Sequence, residues 1–217
     1  MKKLLAAAII AALVTGVHAQ PYSFDGINNE DWIVWLGASN GIAENTVLAN
    51  LNPIQDIDVA LYNSQSNTIT GAALTLTIFD STATDPLPGG PGNVLYTQTY
   101  TLGAIPDSSG TLGTICTLPT GLLNLPTTNV WTAVTINDGL GLLVNINPPT
   151  VGTAPPKYFA ENLPGTGWID NAAINFGTTP PYFGIRYDVE AAPEPVSVGI
   201  LLCSTIGLIR RKRRAAR

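Results

Sequence analysis

The sequence predicts an all-β protein: an antiparallel β-sandwich, flanked by an N-terminal signal helix and a short C-terminal transmembrane helix. Three observations carry this. The stretch between the terminal segments is rich in Thr, Asn, Gly and Pro and poor in Lys, Glu and Arg, which disfavours helices and favours strands separated by turns. Several runs alternate apolar and polar residues with a period of two. These runs are short and recur between Gly- and Pro-rich turns, the spacing of a sandwich rather than of a βα unit.

In chain order, residues 1–19 form a secretory signal. Lys2 and Lys3 precede an apolar run over residues 4–14, and Val17-His18-Ala19 places compact residues where a signal peptidase cuts, after Ala19. The run is shorter than the roughly 20 residues a spanning helix needs.

Residues 20–192 form the extracellular domain. The clearest strand is Leu74-Thr75-Leu76-Thr77-Ile78-Phe79, with Leu74, Leu76 and Ile78 on one face and Thr75 and Thr77 on the other. In residues 94–102, Val94, Tyr96, Tyr100 and Leu102 share a face opposite Thr97, Thr99 and Thr101. Residues 130–136 and 140–146 flank Asn137-Asp138-Gly139, which accept the positive φ of a tight turn and predict a hairpin. Near the end, Phe183, Ile185, Tyr187 and Val189 form an apolar face, and Tyr182, Arg186 and Asp188 a polar one. Further strands are expected over residues 32–38, 57–62, 114–118, 158–161 and 167–169. Cys116, between Ile115 and Leu118, reads as a small core residue.

Residues 193–217 close the chain with Pro193-Glu194-Pro195, a charge-free stretch over 196–209, and Arg210-Arg211-Lys212-Arg213-Arg214. Basic residues resist translocation, so this reads as a stop-transfer segment with the C-terminus inside. The stretch rises only about 21 Å against a hydrocarbon core of about 30 Å, a length suited to holding the chain briefly.

The order of Pro193-Glu194-Pro195, apolar helix and basic cluster resembles the PEP-CTERM sorting signal. The resemblance implies export in a Gram-negative bacterium that makes exopolysaccharide. It also implies recognition by an exosortase at the inner membrane and removal of the tail, leaving the protein at the cell surface or outside the cell. More loosely, the domain is similar to β-sandwich ectodomains paired with interchangeable C-terminal anchors. That likeness rests on residues 74–79, on Pro88-Gly89-Gly90-Pro91-Gly92 before Val94-Leu95, and on Asn175-Phe176-Gly177 ahead of Tyr182-Phe183-Gly184-Ile185-Arg186. It implies a fold and no activity.

Charge and residue chemistry narrow the function. Within residues 20–192, two basic side chains, Lys157 and Arg186, face fourteen acidic ones, a net charge of −12. Such a surface offers nucleic acid no cations to displace its counterions. The one histidine, His18, lies in the signal segment, so the domain has no Ser-His-Asp or Cys-His site and no His-based zinc site. Asp56, Asp58, Asn137 and Asp138 carry oxygens suited to calcium. Among Trp32, Trp35, Trp131 and Trp168, Trp168 is the candidate for stacking on a sugar ring. The expected function is a non-catalytic surface or matrix protein that meets signal peptidase, exosortase and extracellular polysaccharide. The alternatives are a carbohydrate-binding module for exopolysaccharide and a hydrolase built on a carboxylate pair, two carboxyls about 5–10 Å apart.

Overall fold

The computed structural model describes residues 22–27, 32–35, 42–83, 90–108, 113–136, 139–145, 148–154, 159–163, 166–170 and 182–189. The signal segment, the sorting motif with its basic cluster, Asn137, Asp138 and Lys157 lie outside them. The regular elements of the described residues are all strands. They are β1 (Tyr22–Asp25), β2 (Trp32–Trp35), β3 (Ile42–Val47), β4 (Ile54–Asn63), β5 (Ala73–Asp80), β6 (Val94–Thr101) and β7 (Thr114–Leu123). They continue with β8 (Asn129–Ile136), β9 (Leu140–Asn145), β10 (Phe159–Leu163), β11 (Gly167–Asp170), β12 (Tyr182–Phe183) and β13 (Ile185–Val189).

Two antiparallel sheets pack as a sandwich. One has six strands in the order β11-β10-β3-β8-β5-β6. The other has seven, along β1-β13-β4-β9-β12, with β2 beside β9 and β7 beside β4. Period-two alternation sets which side chains go inside. From the six-stranded sheet Leu74, Leu76, Ile78, Val130, Val134 and Ile136 point inward; from the other, Ile57, Val59, Leu61, Ile185 and Tyr187 meet them in one core. Each such side chain leaving water contributes about 2 kcal/mol. Cys116 packs at the margin of this core, free of any disulfide.

Three sequence expectations need correction. The hairpin around Asn137-Asp138-Gly139 does not form: β8 pairs with β3 and β5 in one sheet, while β9 pairs with β2, β4 and β12 in the other. Turn chemistry reports that the chain reverses, not which sheet the next strand joins. Val94 leaves the inward row because a bulge between Ile78 and Phe79 shifts its register, and it is 55% exposed. Tyr182 is buried beside Phe183 because Gly184 breaks the alternation before β13 begins. At that break Gly184 donates its N–H to the Leu143 carbonyl, and its own carbonyl accepts the N–H of Ala60. The seven-stranded sheet forks here, because β4 is flanked first by β13 and then by β9.

β1 and β3 were not expected as strands. In β3 the polar Glu44 occupies an inward position and Thr46 another, so the period-two signal is hidden.

Two turns are fixed by polar side chains or by glycine. Asp80 Oδ1 accepts the N–H of Asn93 at 2.8 Å and of Thr82 at 3.2 Å, and its Oδ2 accepts the Asn93 amide at 3.0 Å. This closes the base of the Pro/Gly-rich β5–β6 connection. Residues 150–153 tie the two sheets together at one end. Asp25 N–H donates to the Val151 carbonyl, and Val47 and Thr153 exchange both backbone hydrogen bonds. Gly152, at φ +73°, is the pivot, and a Cβ there would meet the Val47 carbonyl oxygen at 2.7 Å and the Phe24 ring at 2.9 Å.

Gly152→Ala is therefore expected to lower stability by about 2 kcal/mol or more, from the positive φ and the backbone clash together. A denaturant titration reads this as a lower midpoint with unchanged slope.

Candidate functional site

The outer face of the seven-stranded sheet brings together three acids and one arginine. On β4, Asp56 and Asp58 point outward together; β13 places Asp188 opposite Asp56 and Arg186 opposite Asp58. Arg186 forms an ion pair with the Asp58 carboxylate through Nη2. Its Nε lies 3.4 Å from Asp188 Oδ1, and its guanidinium carbon sits 4.7 Å from the centre of the Tyr22 ring. The Thr117 hydroxyl donates to the other oxygen of Asp58 at 2.6 Å. Asp58 keeps only 4% of its side chain exposed although it lies on an outer face, because Arg186 and Thr117 cover it.

Asp188 is held differently. Burial pushes its carboxyl up to about 6, helped by the neighbouring Asp58, Asp56 and Asp25 and opposed by Arg186. Of the calcium candidates, the structure thus places Asp56 and Asp58 side by side, with Arg186 as the cation on Asp58. Asn137 and Asp138 lie outside the described residues. Among the described residues no three His, Cys, Asp or Glu side chains gather as a metal-ligand set.

A second polar group lies inside the sandwich. Glu44 of β3 is 3% exposed, and its Oε2 accepts the Phe183 N–H at 3.0 Å, so one sheet bonds to the other. Thr132, the cross-strand partner of Glu44, shares a buried hydrogen bond with the Tyr187 hydroxyl, again between sheets. Burial holds the Glu44 carboxyl well above the usual carboxylate range, the Phe183 N–H only partly opposing it. A neutral carboxylic acid is the form such a site tolerates. Buried in this way, Glu44 ties one sheet to the other.

The outer face of the six-stranded sheet is different again. Thr75 on β5 pairs with Thr99 on β6, their hydroxyls 2.8 Å apart; Thr77 pairs with Thr97 at 3.1 Å. Thr135 on β8 lies beside Thr75 in the same row. At one end Phe79 lies opposite Trp131, and the Trp168 ring meets Phe79 edge to face, centroids 5.4 Å apart. Ala43 and Ala133 complete this outer aromatic cluster. Trp168 is half-buried there, whereas Trp131 is covered. Trp32 and Trp35 lie in β2.

No family model, curated protein or solved structure matches the chain.

Beyond the other end of β5, an open cleft of about 630 Å³ is lined by Gln65, Asn67, Thr68, Ile69, Thr70, Gly71 and Gly139, all uncharged. The buried Asn63 shapes it. Its side-chain amide donates to the carbonyls of Asn67 and Ile105, and its side-chain oxygen accepts the Gln65 N–H.

The sequence singles out Asp56, Asp58 and Trp168 as candidates but not Glu44 or the central place of Arg186. Arg186 carried one usable signal: it is one of two basic residues in a stretch holding fourteen acids.

Two expectations follow from these charges. Arg186→Met strands a covered carboxylate and should cost about 3 kcal/mol; adding Asp58→Asn should recover most of it, read by chemical denaturation of the single and double variants. Stability should also peak near pH 4. Glu44 keeps its proton when folded but releases it near 4.5 when unfolded, so its contribution weakens as pH rises past that value. Asp188 does the same between 3.8 and about 6. Asp80, held below 3.8 by Thr82 and Asn93, withdraws stability as pH falls below its ordinary range. Thermal midpoints across pH 3 to 8 should fall on both sides of the maximum, and Glu44→Gln should flatten the limb above 4.5.

Proposed function

We propose that the protein is an exported, non-catalytic surface or matrix component of a Gram-negative bacterium, sorted by its C-terminal segment. The observation that carries this is the order of Pro193-Glu194-Pro195, the charge-free residues 196–209, and Arg210-Arg211-Lys212-Arg213-Arg214, in a chain that opens with a signal segment. The prolines keep the backbone before the apolar stretch extended and open to a protease. The stretch is short, so it holds the chain weakly, and the basic cluster sets which side the cut site faces. Signal peptidase and exosortase are the partners this route requires. The inner membrane is a transient station before the cell surface or the extracellular space.

Two structural features support the reading. β1 opens the described domain and β13 closes it, and the two pair with Tyr22 opposite Asp188, so both ends of the domain leave from one place on one sheet. Such adjacent ends are compatible with a tether at either one. Four of the described carboxylates are also engaged in holding the fold: Asp25 by Ile27 and Thr150, Glu44 by Phe183, Asp58 by Arg186 and Thr117, and Asp80 by Thr82 and Asn93. This favours a non-catalytic domain over a hydrolase with a carboxylate pair. The half-buried Trp168 on Phe79 favours, as a second reading, a carbohydrate-binding role.

Intact-mass analysis of the native protein should show loss of the signal segment and of the residues that follow Pro195. Recovery from the inner membrane with Arg217 still attached, in a host that has an exosortase, would leave a plain membrane anchor as the better account.

A further inference from the structure

We propose that the outer face of the six-stranded sheet is a docking surface for an uncharged, polyhydroxylated polymer, a neutral glycan chain. The threonine pairs Thr75–Thr99 and Thr77–Thr97 form its hydrogen-bonding grid, and Trp168 on Phe79 forms its apolar end. The inference gives a ligand class to the surface-protein reading and rests on that reading only for its setting outside the cell.

The first argument is charge. The domain carries a net −12, and Asp56, Asp58, Asp188 and Arg186 lie together on the other sheet. The described residues that face outward from β3, β5, β6 and β8 include no acid and no base. An exposed sheet face ordinarily gains solubility from charges of both signs. Their absence here, with Thr97, Thr99 and Thr101 exposed, leaves a neutral stretch over β3, β8, β5 and β6 on an acidic body. Such a face suits a neutral polymer and repels neither its hydroxyls nor its ring carbons. A polyanionic glycan or a nucleic acid would meet the net negative field of the domain, which two basic side chains do not offset.

The second argument is hydrogen-bonding capacity. Each hydroxyl has one donor and two acceptor sites. A Thr–Thr pair consumes one donor and one acceptor, so each pair still presents one O–H and three lone pairs. The hydroxyls within the pairs lie 2.8 and 3.1 Å apart, and one pair follows the other about 7 Å along the strands. The result is a fixed two-dimensional array of mixed donors and acceptors, held in place by the hydrogen bonds between β5 and β6. Sugar hydroxyls are likewise both donors and acceptors, so any approach finds complementary partners without reorganising the protein. The threonine methyls and the Trp168 ring take the C–H faces of the sugar rings.

The third argument separates a glycan from a second copy of this chain. Protein interfaces draw their energy from aromatic, Met and Arg anchors at a desolvated centre, where Thr is under-represented. Here the aromatic residues lie at one end of the face and its centre is hydroxyl.

The test is retention of the purified full-length protein on a panel of neutral polysaccharides (cellulose, mixed-linkage β-glucan, mannan, xylan and dextran), with alginate as the acidic control. Retention on at least one neutral glycan is expected, and it should persist as salt is raised from about 0.05 to about 0.5 M, because no ion pairs are involved. Thr97→Val with Thr99→Val keeps shape and strand propensity while deleting two hydroxyls, and should weaken retention about tenfold. Trp168→Ala should weaken it as well. The double valine variant is the decisive one because its thermal midpoint should stay native. The proposal is overturned if the protein is retained on none of the neutral glycans, or only on alginate in a salt-sensitive way. Undiminished retention by a natively folded double valine variant would also overturn it. Self-association lost in that variant, without glycan retention, would assign the face to a second copy. Faceting of growing ice without glycan retention would assign it to ordered water. Retention reads the sheet face and intact mass reads the tail, so either result can fail alone.

Discussion

The hydrogen bond from Phe183 to Glu44 is the contact on which the two-sheet arrangement turns. A sandwich core tolerates polar atoms only when they are satisfied. Phe183 stands immediately before Gly184, where the seven-stranded sheet forks. Glu44 reaches across the core from β3 to accept its N–H. The adjacent Thr132–Tyr187 bond makes a second crossing one strand over. Apolar stripes alone would let the sheets slide. Two directional bonds between named partners fix their register, while burial, opposed in part by the Phe183 N–H, holds Glu44 in its neutral form.

With the inside fixed in this way, the two outer faces take opposite characters. β4 and β13 gather Asp56, Asp58, Arg186 and Asp188 on one, where a single cation sits among several acids. β5, β6 and β8 present hydroxyls, methyls and aromatic rings on the other. The division follows from period two: once Leu74, Leu76 and Ile78 are committed to the core, Thr75 and Thr77 have only the outside left. The same rule turns Asp56 and Asp58 outward once Ile57 and Val59 are buried.

The connections matter as much as the strands. Asp80 closes the base of the β5–β6 connection with side-chain bonds to Thr82 and Asn93. Gly152 lets the chain pass between β1 and β3 where any Cβ would meet backbone. β7 lies beside β4 at one edge and carries Pro119, which has no N–H to offer, and Leu122 at φ +66°. Both spoil a regular row of donors and acceptors and discourage another strand from adding there.

Sequence alone determined the strand class, the inward faces of β5 and β13, the pairing of Asp56 with Asp58 on one side, the acidity of the domain and the absence of histidine from it. These are local properties: composition and a period of two are written in consecutive residues. Tertiary structure alone decided that β8 and β9 lie in different sheets, that Val94 slips outward at a bulge, and that Glu44 is an inward tie rather than a surface acid. It also decided that Arg186 covers Asp58, and that Thr75, Thr77, Thr97 and Thr99 form one array. Each of these depends on which strand lies beside which. That choice is made by contacts between residues tens of positions apart, and no pattern within a single strand encodes it.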